Sequence, residues 1–236
     1  FGLYMSMFSF GLTFVISLVC RSNDKVTPWP TKSSIFSEFS NTTGWSSSGM
    51  AFIVGLINPL WAFAGIDSAT HMVDEVGHST SRTLVPRAII GTVLLGFVTS
   101  FTYSIGMFYC ITDTKSVVGS ILPILQIYYQ ATGNRNLSIF LQCCCITSGV
   151  VCGIASGTWQ SRILWSISRD FENIDTNKPR PVFRYFCKRF GHVNSLLKVP
   201  LTSHLFSQAI VAIIGCIFMG STTAFNAIIT ACITKH

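Results

Sequence analysis

Residues 48–75 form an apolar stretch long enough to cross a bilayer, yet its middle carries Pro59, Gly65 and Asp67. At about 1.5 Å per residue, a helix of this length exceeds the roughly 30 Å of hydrocarbon in a membrane. A proline removes one backbone donor, a glycine weakens a helix, and a carboxylate within lipid is costly unless it faces protein or water. These residues are best tolerated where an interrupted helix lines a polar cavity. The alternative is a packing kink at Pro59, with Asp67 already near the cytoplasmic interface.

Composition independently places the chain among membrane proteins. It is 49% hydrophobic and 11% charged, with a mean hydropathy of +0.52, whereas soluble domains carry roughly 25% charged residues. The net charge of +7 would suit nucleic acid, but the basic residues lie in loops between apolar runs, which is the pattern of membrane topology. We therefore predict the lipid bilayer as a partner and exclude nucleic acid.

Six apolar runs are candidates for membrane helices. They cover residues 1–20, 50–73, 88–111, 137–159, 204–221 and 223–233, approximately, and the last is cut short. The pattern predicts an all-α integral membrane protein with five to six transmembrane helices in a single membrane domain, 1–236. The fourth helix should continue beyond Trp159 as far as Asp170, because no glycine or proline interrupts it. A signal peptide is not expected, and both ends suggest a fragment.

Charge and glycosylation signals agree on the orientation of these spans. The connection 170–203 carries six Lys or Arg residues, so the positive-inside rule predicts that it is cytoplasmic. The loop 77–87 then lies on the same side, and 21–48 and 112–135 lie outside. The two N-glycosylation sequons, at Asn41 and Asn136, both fall in or beside these outer segments, although chance matches are common.

Several blocks across nearly the whole chain resemble one family. They are residues 52–59 (FIVGLINP), 69–72, 91–93, 96–101, 158–162 (TWQSR) and 220–226 (GSTTAFN), together with Trp61, Phe63 and Asp67. In these blocks the chain resembles fungal choline and GABA permeases of the amino acid/polyamine/organocation superfamily, with the choline permease branch nearest.

The resemblance implies a partial inverted-repeat (LeuT-like) transporter fold. In such folds the substrate site forms between two broken helices, and this chain would supply only one of them. The implied function is secondary active transport of choline, or of a related amine or amino acid, by alternating access in the plasma membrane. The alternatives are a general amino-acid or GABA permease, and a permease-derived sensor that binds solute without moving it.

The predicted helix break near residues 62–66 would free backbone groups to bind a small-molecule solute. Trp61 and Phe63 flank this break, and an aromatic face is a natural partner for a quaternary ammonium. The alternative role for each ring is packing against lipid or a gate. The predicted substrate-binding residues are Trp61, Phe63, Ala64, Gly65, Ile66 and Asp67.

A stripe of ionisable residues follows the break. Asp67, His71 and Glu75 recur at helical spacing, which favours a gate or a proton relay. For Glu75 and its neighbour Asp74, a solvated helix end is the simpler interpretation. Arg162 is a second gate candidate that would pair with an acidic residue, or else an interfacial anchor. The coupling ion, H⁺ or Na⁺, is left open.

Enzymatic and metal chemistry are not expected. The sequence contains no nucleophile with an evident base, no H-E-x-x-H and no phosphate-binding glycine loop, and no cofactor is predicted. Its nine cysteines include no C-x-x-C pair. The consecutive Cys143, Cys144 and Cys145 would point in different directions on a helix, so they do not form a metal site.

Overall fold

The computed structural model describes residues 2–39, 41, 44–63, 65–66, 68–70, 78–173, 181–196 and 198–234. Within these ranges the regular secondary structure is all helix, with no strand, and irregular segments join the helices. The helices are α1 (Gly2–Asn23), α2 (Lys32–Phe36), α3 (Ser48–Gly55), α4 (Ile57–Ala62), α5 (His78–Cys110), α6 (Thr114–Val118), α7 (Pro123–Thr132), α8 (Arg135–Asn173), α9 (Pro181–Phe190), α10 (Leu201–Gly220) and α11 (Thr222–Thr234).

Four of these helices are long and apolar enough to span a membrane: Gly2–Asn23, Arg82–Cys110, Arg135–Phe171 and Leu201–Gly220. They coincide with four of the six apolar runs in the sequence. The other two runs hold the shorter apolar helices Ser48–Leu60 and Thr222–Cys232. The prediction of an all-α integral membrane fold is confirmed.

The beginning of α5 differs from the sequence prediction. Residues 78–87 were expected to form a polar loop, but α5 is helical from His78 and contains Pro86. Because the segment before Pro86 has Ser, Thr and Arg but no glycine, the helix can extend beyond the apolar run into water. The polar residues therefore do not mark the end of this helix.

The chain divides into two compact units. The first comprises Phe1–Gly55 and Leu94–Cys152. In it, α1 packs against α7, and the buried core consists of Met107, Tyr128 and Leu141. A side chain added at Gly106 would collide with the ring of Phe14. That glycine therefore permits the close approach of α1 and α5.

The second unit comprises Leu56–Val93 and Gly153–His236. Here α10 packs against both α9 and α11, and α4 packs against α11. A Cβ at Gly157 of α8 would lie 2.6 Å from the Gln208 amide nitrogen of α10, so the two helices meet closely at this glycine. The rings of Phe218 and Phe225 stand edge to face, 5.2 Å apart, across the turn from α10 to α11.

Candidate functional site

The apolar stretch 48–75, which was predicted to contain a helix break, does not form one continuous helix. α3 ends at Gly55, Leu56 forms a turn, and α4 begins at Ile57. Pro59 explains this first interruption, because it has no N–H to donate to the carbonyl of Gly55 four residues earlier. In the new helix Pro59 lies in the first turn, where a backbone N–H has no intrahelical partner in any case.

A second interruption follows within seven residues. α4 ends at Ala62, and the Phe63 N–H donates to the Leu60 carbonyl at 3.2 Å, which tightens the last turn. Gly65 has φ +84°, and its carbonyl accepts from the Ser68 N–H at 3.0 Å. The helix therefore ends within the stretch where the sequence predicts a break. In a helix of only six residues that is interrupted at both ends, most backbone N–H and C=O groups have no hydrogen-bond partner within the helix.

Space is open beside this second interruption. A Cβ built on Gly65 meets no described atom within 4 Å, and the residue itself is exposed. Phe63 and Ile66, on either side, are half-buried. Among the described residues, the backbone of Gly65 is therefore uncovered.

The structure describes only some of the remaining predicted site residues. The backbone of Trp61 belongs to α4, whereas Ala64, Asp67, His71 and Glu75 lie outside the described residues. Arg162 is half-buried on α8, far along the chain from α4, and has an interaction partner. The solute-binding and gating roles of all these residues remain predictions.

The two sequons have different local structures. The Asn41 side-chain nitrogen donates to the Trp45 carbonyl at 2.7 Å in an irregular segment. Asn136 instead lies in the first turn of α8, and the hydroxyl of Ser138 in the same sequon is buried. That hydroxyl donates to the Asn134 carbonyl at 2.7 Å. Glycosylation at either asparagine remains a prediction.

A buried polar cluster in the first unit was not identified from the sequence. The Tyr128 hydroxyl of α7 is hydrogen-bonded to the Tyr103 hydroxyl of α5 and lies 3.0 Å from the Cys145 sulfur of α8. Tyr103 also lies 3.4 Å from the Thr13 hydroxyl of α1. Burial raises the pKa of Tyr128, so the phenol stays protonated and able to donate. We call these four residues the tyrosine cluster; it joins four helices.

A buried arginine was also missed. Arg21, at the end of α1, is fully buried; its guanidinium donates to the Asp24 carboxylate at 3.1 Å and to the Pro28 carbonyl at 2.9 Å. It also lies 5.3 Å from the centre of the Trp29 ring. The Thr27 hydroxyl donates to Asp24 at 2.6 Å and is the main cause of the lowered pKa of that carboxyl. Arg21 thus holds the following segment over the end of α1.

The C-terminal part of α8 has the extension predicted from its sequence. The helix continues without interruption to Asn173. The Arg169 guanidinium lies over the Trp165 ring, 4.7 Å from its centre. The Trp165 indole N–H donates to the Gly191 carbonyl at 3.0 Å, so α8 is tied to the segment that follows α9.

Comparisons with known proteins agree on one family. The model of the amino acid permease family matches residues 1–233. The chain is 61% identical to the 7-keto 8-aminopelargonic acid transporter of Saccharomyces cerevisiae over 99% of this chain and 41% of the relative. It is 42% identical to the choline transporter of the same yeast, over 98% of this chain and 38% of the relative. Amino-acid permease 2 of Neurospora crassa is 25% identical over 84% of this chain and 34% of its own length.

The chain spans about two fifths of the length of the first two relatives, and no solved structure matches it. All three relatives are transporters or permeases, in agreement with the expectation of a non-enzyme. The family match covers nearly every residue, and four helices have the length and hydropathy of membrane spans. The chain is therefore part of a multi-pass membrane protein and belongs to the amino acid permease family.

Proposed function

We propose that the full-length protein containing this chain is a secondary permease of the plasma membrane. It moves an amine-bearing organic solute across that membrane by alternating access. The observation that carries the proposal is the double interruption of the apolar stretch, at Leu56 and again after Ala62. Broken helices supply exposed backbone groups at membrane depth, which is how secondary transporters bind polar solutes.

The residues beside the second interruption suit such a solute. The carbonyls freed at the end of α4 would accept hydrogen bonds from an amine, and the open space at Gly65 would admit it. Phe63 would offer an aromatic face to the positive charge, and Asp67 would neutralise it. Trp61, Ala64 and Ile66 would complete the wall on this side. His71, Glu75 and Arg162 would act at the inner gate or in proton transfer.

The solutes for which the relatives are named suggest an order of candidate substrates. The relative with 61% identity is named for 7-keto 8-aminopelargonic acid, which carries both an amine and a carboxylic acid, and the one with 42% identity is named for choline. We therefore place the aminoketo acid first and choline second, with GABA and other amino acids as the third class. A solute with a carboxylate would also use the backbone N–H groups exposed at a helix beginning.

A sensor that binds solute without moving it is the alternative. It would use the same interrupted helix, and it differs from a permease only in the absence of flux. Binding and uptake must therefore be measured on the same protein.

The test is uptake of labelled 7-keto 8-aminopelargonic acid, choline and GABA by the full-length protein, in cells that lack their own carriers for each. We expect uptake of the first, and its loss in Asp67→Asn and Phe63→Ala. The matched control is Phe36→Ala, which removes an exposed ring from α2 and should leave uptake unchanged. Uptake of choline alone would reassign the substrate. Binding without uptake of any of the three would refute transport and leave the sensor.

A further inference from the structure

A basic cavity lies on the second unit and uses none of the residues proposed for solute transport. It has a volume of about 430 Å³ and is lined by Tyr185, Lys188, Arg189, Gly191 and His192. These residues form the end of α9 and the turn after it. All except Gly191 are exposed, so the cavity is open to its surroundings.

The cavity is firmly attached to the start of α10. Phe186 and Phe190 of α9 contact Phe206 of α10, with ring centres 5.9 and 4.9 Å apart. The Thr202 hydroxyl donates to the Arg189 carbonyl at 2.8 Å, and the buried Ser203 hydroxyl donates to the Phe190 carbonyl at 2.7 Å. These bonds satisfy the last carbonyls of α9 and fix the basic residues relative to a membrane span.

The same attachments place the cavity at the level of the membrane interface. Trp165 of α8 is bonded to Gly191, which is itself a lining residue. Tryptophan is enriched where lipid headgroups begin. The span Leu201–Gly220 starts ten residues after Gly191, so two candidate spans meet the cavity at one of their ends. The positive-inside rule assigns this end to the cytoplasm.

The charge around the cavity is of one sign. Residues 181–203 contain four Lys or Arg and no Asp or Glu. Within the part of the chain that the structure describes, Lys188 and Arg189 form no ion pair. Lys188 and Arg189 are exposed on α9, whereas Phe186 and Phe190 of the same helix contact Phe206 of α10. This is the pattern of an amphipathic helix that lies at a membrane interface and attracts anions. Anionic lipids of the cytoplasmic leaflet are the complementary partner.

We propose that this cavity binds the phosphate headgroup of an anionic membrane lipid. Lys188 pairs with the phosphate, and Arg189 pairs with a second anionic group of the headgroup, such as the carboxylate of phosphatidylserine, with its guanidinium able to contact two oxygens. The Tyr185 hydroxyl and the His192 ring lie at the rim, where they contact the remainder of the headgroup. The acyl chains extend alongside the apolar surface of α10.

The test measures lipid binding by the purified full-length protein and requires no transport. Tail-labelled phosphatidylserine or phosphatidylcholine is titrated into the protein in neutral detergent, and binding is followed by fluorescence anisotropy. We expect phosphatidylserine to bind about thirtyfold more tightly, as two basic residues at about 1 kcal/mol each would provide. This preference should weaken as salt is added.

The decisive variant is Lys188→Gln with Arg189→Gln. It should bind phosphatidylserine no more tightly than phosphatidylcholine, and the phosphatidylcholine binding that it retains reports that the protein is folded. The control Lys25→Gln with Lys32→Gln removes the same charge from the segment after α1 and should retain the preference. The proposal is overturned if phosphatidylserine has no advantage, or if the advantage survives in the decisive variant. Equally tight binding of inorganic phosphate would replace the lipid by a soluble anion and overturn it as well.

Discussion

The Tyr128 hydroxyl lies 3.0 Å from the sulfur of Cys145, and through this contact α7 is joined to a membrane span seventeen residues away in sequence. Tyr128 is completely buried. Its hydroxyl also meets that of Tyr103, so removing it takes one partner from Tyr103, which keeps its contact with Thr13, and removes the contact of the Cys145 sulfur. Loss of a buried partner costs more than loss of an exposed one.

Tyr128→Phe should therefore lower the free energy of unfolding by about 1–3 kcal/mol. The neighbouring Tyr129→Phe is the matched control, because Tyr129 is 47% exposed and should change stability by less than about 0.5 kcal/mol. Denaturant unfolding of the purified full-length protein, followed for both variants, measures the difference. Equal stabilities would contradict a stabilising role for the tyrosine cluster.

Arg21→Lys should release the segment that follows α1. Lysine keeps the charge but lacks the planar fork that reaches both Asp24 and Pro28. We expect a loss of about 2–3 kcal/mol and faster amide hydrogen exchange in residues 24–29. Arg135→Lys, at an exposed position, is the control. Unchanged exchange would show that the segment is held by other contacts.

Acid should release the same segment. The folded protein lowers the pKa of Asp24 below its ordinary value of 3.8. The stability contributed by this carboxylate is therefore complete above that ordinary value and is lost as the pH falls through the lower folded pKa. Amide protection in residues 24–29, measured as the exchange rate relative to an unstructured chain at the same pH, should fall only below about pH 3.8. In Asp24→Asn this protection should be low at every pH.

Gly65→Ala separates backbone strain from crowding. The added methyl group meets open space, but φ is +84°, a conformation that costs an L-residue about 1–2 kcal/mol. We expect impaired solute uptake by the full-length protein at normal surface expression. Gly55→Ala also meets open space and has no positive φ, so it should preserve uptake. Full activity of Gly65→Ala would contradict a special role for this turn.

The two sequons should be used unequally. Asn41 lies in an irregular segment, whereas Asn136 is helical and the Ser138 hydroxyl is already engaged. Glycan attachment suits exposed loops, so Asn41→Gln should abolish the mobility shift produced by a glycosidase. Asn136→Gln should leave that shift intact. A shift lost only in Asn136→Gln would reverse this assignment.

Local chemistry allowed much of the fold to be predicted. Pro59 and Gly65 act on their own backbone, so the interruption of the apolar stretch could be read from the sequence. The continuation of α8 past Trp159 was similarly evident, because nothing in that stretch ends a helix. The helical start of α5 was mispredicted because polar residues were taken as the end of a helix, whereas Ser, Thr and Arg can continue one.

Contacts between distant residues could not be predicted in this way. Tyr103 and Tyr128 are separated by 25 residues, and the sequence around neither residue predicts a contact with the other. Arg21 looked like an ordinary cation after an apolar run, and its burial depends on how the next segment folds back. Of the candidate site, the turn at Gly65 was predictable from backbone chemistry, whereas the roles of Asp67, His71 and Glu75 rest on their helical spacing and remain predictions.

The uninterrupted length of α8 has a mechanical consequence. Its 39 residues make a rod about 58 Å long, nearly twice the thickness of the hydrocarbon core. The helix therefore extends beyond the hydrocarbon. Near its C-terminal end, the Trp165 indole N–H donates to the main-chain carbonyl of Gly191. Because every residue has a main-chain carbonyl, a movement of this end would be passed to the segment after α9 whatever residue occupies position 191.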